Sequence, residues 1–159
     1  MIVSFDLDST LCDTAHRQHL VNREEGGVTD WDAYSMACAD DAPGPGLPLA
    51  LAFQQLGARL VVCSARSVGA RKLTDQWLRE QGLRVLAMRL REEGDHTKHI
   101  EWKAQAVKDL SDFCEHAFGE PIALHVDDWP AVKDATEKLT GIPTVIVHVE
   151  FAEVGYART

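Results

Sequence analysis

The sequence predicts an α/β fold, a central five-stranded parallel sheet flanked by helices. Three observations carry that expectation. Five short apolar runs recur along the chain, and strands buried on both faces read that way. Segments with apolar residues at helical spacing alternate with those runs, the order of a parallel sheet with helical crossovers. Three of the runs end in polar chemistry, at Asp6 and Asp8, at Ser64, and at Asp127 and Asp128. In open α/β sheets, ligands bind beyond the carboxyl ends of the strands.

In chain order, IVSF (Ile2 to Phe5) is the first strand. CDTAHRQHLVN reads as a helix with Asp13 or Thr14 as its N-cap. Gly26 to Gly46 mixes turn residues with Trp31 and Tyr34 and reads as loop with one helical turn. LPLALAFQQLG is a helix closed by Gly57. Leu60 to Cys63 is the second strand, ending at Ser64. Ser67 to Gln81 is a helix with Leu73, Trp77 and Leu78 on one face and Gly82 as terminator. RVLAMR is the third strand and REEGDHTK a polar turn. A long helix runs from Ile100 to about Ala117 and carries Trp102, Ala106, Leu110 and Phe113. PIALHV is the fourth strand. Pro130 opens a helix over Ala131 to Leu139. PTVIVHV is the fifth strand, and the tail after Phe151 is expected to fray.

The chain has 159 residues, the size of one domain, so 1–159 are expected to form a single domain with a short cap-like insertion at about 13–46. No apolar run reaches the roughly 18 residues of a membrane span, and the first residues lack the pattern of a signal peptide. Cytoplasmic location and no membrane partner are the expectation. Cys12, Cys38, Cys63 and Cys114 are widely spaced with no CxxC pair, which points to free thiols rather than zinc or disulfides. The net charge of −9 argues against extensive duplex binding, though not against a local basic pocket that grips one strand end. No feature of the sequence sets an oligomeric state.

Asp6 and Asp8 lie two apart, so in an extended segment both point to one side. Bringing Asp127 and Asp128 to the same sheet edge gathers up to four carboxylates, and like charges that close resist ionisation together. A divalent cation removes the conflict. Oxygen-only ligands favour Mg²⁺, which keeps waters and shares its shell with substrate phosphate. The metal candidates are therefore Asp6, Asp8, Asp127 and Asp128, with a phosphorylated substrate as partner. A carboxylate can also be a nucleophile toward phosphorus, with lysine and hydroxyl donors offsetting the transferred charge. Ser64 and Lys103 are placed to do so.

Taken together, DLDST (Asp6 to Thr10), Ser64 in VVCSAR, Lys103 and the pair in HVDDWP resemble the haloacid dehalogenase superfamily of phosphotransferases. That resemblance spans nearly the whole chain and implies a Rossmann-like fold with a minimal cap. It implies Asp6 as nucleophile and Asp8 as general acid and then base. It implies Mg²⁺ on Asp6, Asp127 and the backbone carbonyl of Asp8, supported by Asp128, with Thr10, Ser64 and Lys103 on phosphate. VVCSAR, MRLREEGDHTKHIEWK and LHVDDWPAV are similar to the 3′-phosphatase domains of bacteriophage polynucleotide kinase-phosphatases. This narrower resemblance rests on Ser64, Arg66, Arg89, Arg91, Gly94 and Asp95, with Arg17 in the region of a further family arginine, and Ala65, Arg66, Arg17 and Arg89 join the candidate phosphate-binding set. It implies removal of 3′-phosphates from nucleic-acid ends, with a mononucleotide phosphatase as the rival activity. A non-catalytic partner module of a separate kinase or ligase is the alternative of another class. The chain contains no GxxxxGK[ST] loop of the kind a kinase half carries. Two positions depart from the pattern. Ser9 replaces the usual glycine with another small residue, so little effect is expected, although a positive φ would be less comfortable there, and His99 stands where an acidic residue often precedes the lysine by four. Trp31 and Tyr34 either pack the insertion or stack on a base, and His16 and His19 lack a third ligand that would make a metal pair.

Overall fold

A computed structural model describes residues 1–21 and 29–148. Strand β1 (Ile2–Phe5) is followed by β2 (Cys12–Asp13) and a 3-10 helix, Ala15–Leu20. Helix α1 (Trp31–Met36) continues as a 3-10 turn, Ala37–Asp40, into β3 (Ala42–Pro43). Then come α2 (Leu47–Gln55), β4 (Arg59–Ser67), α3 (Arg71–Glu80) and β5 (Val85–Arg91). The chain ends with α4 (His99–Phe118), β6 (Ile122–Asp127), α5 (Pro130–Thr140) and β7 (Thr144–Ile146).

Five strands form the predicted parallel sheet in the order β5-β4-β1-β6-β7, so β1 sits at its centre. Side chains alternate along each strand and divide the core in two. Val3, Phe5, Leu60 and Val62 pack with Leu47, Ala50, Trp77 and Leu78 on one face. Ile2, Val61 and Cys63 pack with Trp102, Ala106, Val107 and Leu110 on the other. By that alternation Asp6 shares the face of Ile2 and Ser4, the face covered by α4.

Several boundaries differ from the sequence reading. The segment after Cys12 is not an α-helix. Cys12 and Asp13 pair antiparallel with Pro43 and Ala42, and Asp13 Oδ1 accepts the Ala15 N–H at 2.8 Å, which turns the chain into a short 3-10 stretch. Thr14 makes no side-chain cap there. The second strand does not stop at Ser64 but runs to Ser67, with its pairing to β5 shifted between Cys63 and Ser67. Ser64 therefore sits inside the strand, where the ladder is interrupted. The third strand likewise runs on to Arg91, into the expected polar turn. Residues 22 and 26–28, the end of the fifth strand run and the tail after Phe151 lie outside the described residues. No helix among the described residues is long and apolar enough to cross a membrane.

The loop after β1 is held by the insertion. Gly44 and Gly46 donate their N–H groups to Leu11 O and Thr10 O at 2.7 and 2.8 Å. A Cβ on Gly44 would stand 2.6 Å from Thr10 O, so only glycine allows the approach. Ser9 has φ +62°, the left-handed conformation that the glycine of the resembled motif would adopt freely.

Candidate active site

The centre of the site is a buried ion cluster at the carboxyl ends of β1 and β6. Lys103 projects from α4 through the sheet face, fully buried, and its Nζ lies 2.5 Å from Asp6 Oδ1 and 3.4 Å from Asp127 Oδ2. It also donates to Cys63 O at 3.0 Å. Two carboxylates raise its pKa despite burial, so it is a fixed cation. His125, buried on the same face, lies 3.2 Å from Asp127 Oδ2 and 3.1 Å from Ser4 Oγ. An ionised carboxylate only accepts, so Nε2 donates to Asp127, and the neutral ring takes the Ser4 hydroxyl on Nδ1. Burial pushes Asp6 up to about 7, aided by the neighbouring Asp127 charge. Asp127 is held well below the usual range, because Lys103 and His125 outweigh its burial.

Asp8 belongs to a second lattice. Arg17 Nη2 and Arg66 Nη2 both reach Asp8 Oδ1, at 2.7 and 2.5 Å. Behind them lies Asp41, a buried carboxylate from the insertion. It accepts from Arg17 Nε and Nη2 at 2.7 and 2.6 Å and from Arg66 Nη2 at 3.0 Å. Burial alone would raise the pKa of Asp8, but the two guanidiniums lower it below the usual carboxylate value.

The donor set suits a hard cation. One oxygen from each of Asp6, Asp127 and Asp128 lies within 4.8 Å of the others. When all three are ionised, Lys103 offsets one of their charges and a divalent ion matches the remaining two. Asp128, pushed up to about 6 by burial and by Asp127, has no cation of its own among the described ion pairs. All-oxygen ligation is the chemistry of hard divalent cations such as Mg²⁺ and Ca²⁺.

Above these groups opens a cavity of about 920 Å³. Asp6, Asp8, Ser64, Ala65, Arg66, Asp127 and Asp128 all line it, so most of the candidates read from the sequence come together. Lys103 acts from below, and the Thr10 hydroxyl is buried without a hydrogen-bond partner. Thr10 does not line the cavity, and two further candidates lie elsewhere. Arg17 is enclosed behind the cavity, its three nitrogens donating to Asp41, Tyr34 O and Asp8. Arg89 is outside the lining with its guanidinium 3.8 Å from Glu92; Arg91 lines the cavity instead. His99 is not among the described ion-pair and hydrogen-bond partners of Lys103, and its ring packs 5.2 Å from that of Trp129. Sequence reasoning missed Asp41, His125 and Trp129. Trp129 follows the acidic pair directly, which was an available signal. Asp41 had none, because its partners are 24 and 25 residues away.

No family model and no curated relative matches the chain. Solved structures do. Two structures of the Pnkp1/Rnl/Hen1 RNA repair complex superpose with TM-scores of 0.65 and 0.66 at 21% identity, over 92% of this chain. The chain spans 42% and 45% of the matched chains, less than half their length. The class C acid phosphatase of Bacillus anthracis gives a TM-score of 0.58 at 19% identity, over 91% of this chain and 65% of that one. Protein Tyrosine Kinase A of Mycobacterium tuberculosis gives 0.60 at 18%, over 99% and 90%. At these identities the likeness is one of fold, and that fold is the Rossmann-like α/β sheet described above.

Proposed function

We propose that the chain is a Mg²⁺-dependent phosphomonoesterase that works through an aspartyl-phosphate and removes 3′-phosphates from nucleic-acid ends. The observation that carries this reading is the pairing of Asp6 with buried Lys103, with Asp8 two residues on, at the floor of one cavity. Asp6 attacks phosphorus and forms the acyl-phosphate bond as the ester P–O bond breaks. Asp8, protonated, gives its proton to the leaving oxygen; as a carboxylate it then takes a proton from the water that cleaves the intermediate. The two guanidiniums favour the carboxylate form, which serves the second half. The first half asks Arg66 to loosen, and an incoming phosphate offers it another anion. Ser64, Thr10 and the backbone after Ser64 donate to phosphate oxygens. Mg²⁺ on Asp6, Asp127 and Asp128 would offset charge on the transferring group.

The fold shared with an acid phosphatase and with a component of an RNA repair complex supports this reading. Four buried free thiols are in keeping with a reducing compartment such as the cytoplasm. The test is phosphate release from a 3′-phosphorylated oligonucleotide, with and without Mg²⁺. Release is expected with the metal and lost in a folded Asp6→Asn protein. A folded wild type that hydrolyses no phosphomonoester would overturn the reading and favour the binding-module alternative.

A further inference from the structure

The lip of the cavity carries chemistry that the phosphatase reading leaves unused. Trp31 is 62% exposed and Trp129 45% exposed, and both line the cavity that holds Asp6. Indole rings that wet are normally buried or engaged. Trp31 opens α1, which packs beside β4, and Trp129 follows β6, so the two rings rise on either side of β1. Each is propped by a second ring, Trp31 by Tyr34 at 5.7 Å and Trp129 by His99 at 5.2 Å.

Charge at the same lip is acidic. Asp30, Asp32, Glu92, Glu93 and Asp95 line the mouth. Among the described lining residues the arginines are committed. Arg66 is held by Asp8 and Asp41. Arg91 donates to Thr97 O and lies over the Trp102 ring. A groove that follows a nucleic-acid backbone needs cations along it, and the described residues of this lip offer carboxylates.

We infer that the lip recognises a nucleobase, with Trp31 and Trp129 stacking on the base of a nucleoside phosphate whose phosphate sits at Asp6, and that it engages no phosphate beyond that one. This rests on the phosphatase reading and names its substrate class. A free nucleotide and the last nucleotide of a strand present the same group, and both are accepted.

The experiment compares adenosine 3′-phosphate with ribose 3-phosphate, which lacks the base, in wild type and in Trp31→Ala and Trp129→Ala proteins. Both rings are at the surface, so neither truncation opens the core. Wild type is expected to prefer the nucleotide, and each truncation to cut that preference about tenfold, with Trp→Phe restoring most of it. Adenosine 3′-phosphate should quench indole fluorescence in the Asp6→Asn protein, and ribose 3-phosphate should not. A 3′-phosphorylated decamer should show a KM close to that of the nucleotide, with little dependence on salt. Equal turnover of the two small esters, or a preference untouched in both variants, overturns the base-stacking inference while the phosphatase reading stands. A KM that falls steeply with strand length and rises steeply with salt overturns the single-phosphate part. Hydrolysis of neither ester nor decamer removes the phosphatase reading first.

Discussion

Asp41 and Arg17 form a two-pronged ion pair, Nε and Nη2 of the arginine at 2.7 and 2.6 Å from the two carboxylate oxygens, with both side chains sealed from solvent. The pair joins the insertion to the site, since Arg17 also grips Asp8. Removing one member of a buried pair leaves an unmatched charge. Asp41→Ala should therefore lower stability by about 3–5 kcal/mol in urea unfolding. It should also slow turnover in protein that is still folded, because both arginines then lean on Asp8 alone. An activity per folded molecule equal to wild type would remove Asp41 from the positioning of Asp8.

Lys103 is the cation between Asp6 and Asp127. Lys103→Met keeps much of the volume and removes the charge. Turnover should fall by roughly 10²-fold or more, the usual effect of losing one preorganised charge partner. A thermal scan should show loss of stability, and Mg²⁺ should recover more of it than in wild type, because the divalent ion then faces three carboxylates alone.

Backbone strain gives two substitutions of opposite sign. Ser9→Gly relieves a positive φ and should raise stability by up to about 1 kcal/mol. Gly44→Ala would place a methyl 2.6 Å from Thr10 O and 2.8 Å from Cys12 backbone atoms. It should cost about 1–3 kcal/mol and reduce activity, since the displaced loop carries Thr10. Equilibrium unfolding of both variants beside wild type checks the pair.

Thiol titration provides a pH prediction away from the carboxylates. Burial pushes Cys63 up to about 12 and raises Cys12 and Cys114 as well. A folded pKa above the unfolded value means stability is fully present below the unfolded value of about 8.5. It is lost as pH rises from there toward 12, where only the unfolded thiols ionise. Native protein should stay unreactive to a disulfide reagent from pH 7 to 9, and all four thiols should react once it is unfolded. Stability should decline above pH 9. Rapid labelling of the native protein at pH 8 would contradict this.

Strands and motif carboxylates were legible because both are local. Ile2 to Phe5 is uniformly apolar, and Asp6 and Asp8 follow at a spacing of two with no need of knowledge of the rest of the chain. At Ser9 little effect was expected from keeping a small residue, whereas the backbone there adopts φ +62°, a requirement that residue size does not report. The arginines were harder. Arg17 and Arg66 read as phosphate ligands by resemblance; in the structure the carboxylates they bind are Asp8 and Asp41, and Asp41 sits in a stretch, ADDAPGPG, that carries only turn signals. Its partner is fixed by how the insertion folds back, which no periodicity reports. The helix expected after Cys12 failed for the same reason, since Pro43 and Ala42 claim Cys12 and Asp13 as a ribbon from thirty residues downstream. The strand ending at Ser64 overran because pairing with β5 resumes at Ser67, a property of the neighbour rather than of the strand.

The burial of Lys103, Arg17 and Arg66 has a consequence for control of the protein. Groups enclosed this completely are assembled by folding itself, so every folded copy carries the same arrangement of buried charges. Surface modification has little leverage on it. Tuning by evolution or by a regulator is left to the doorway, where residues can change without disturbing the charges beneath.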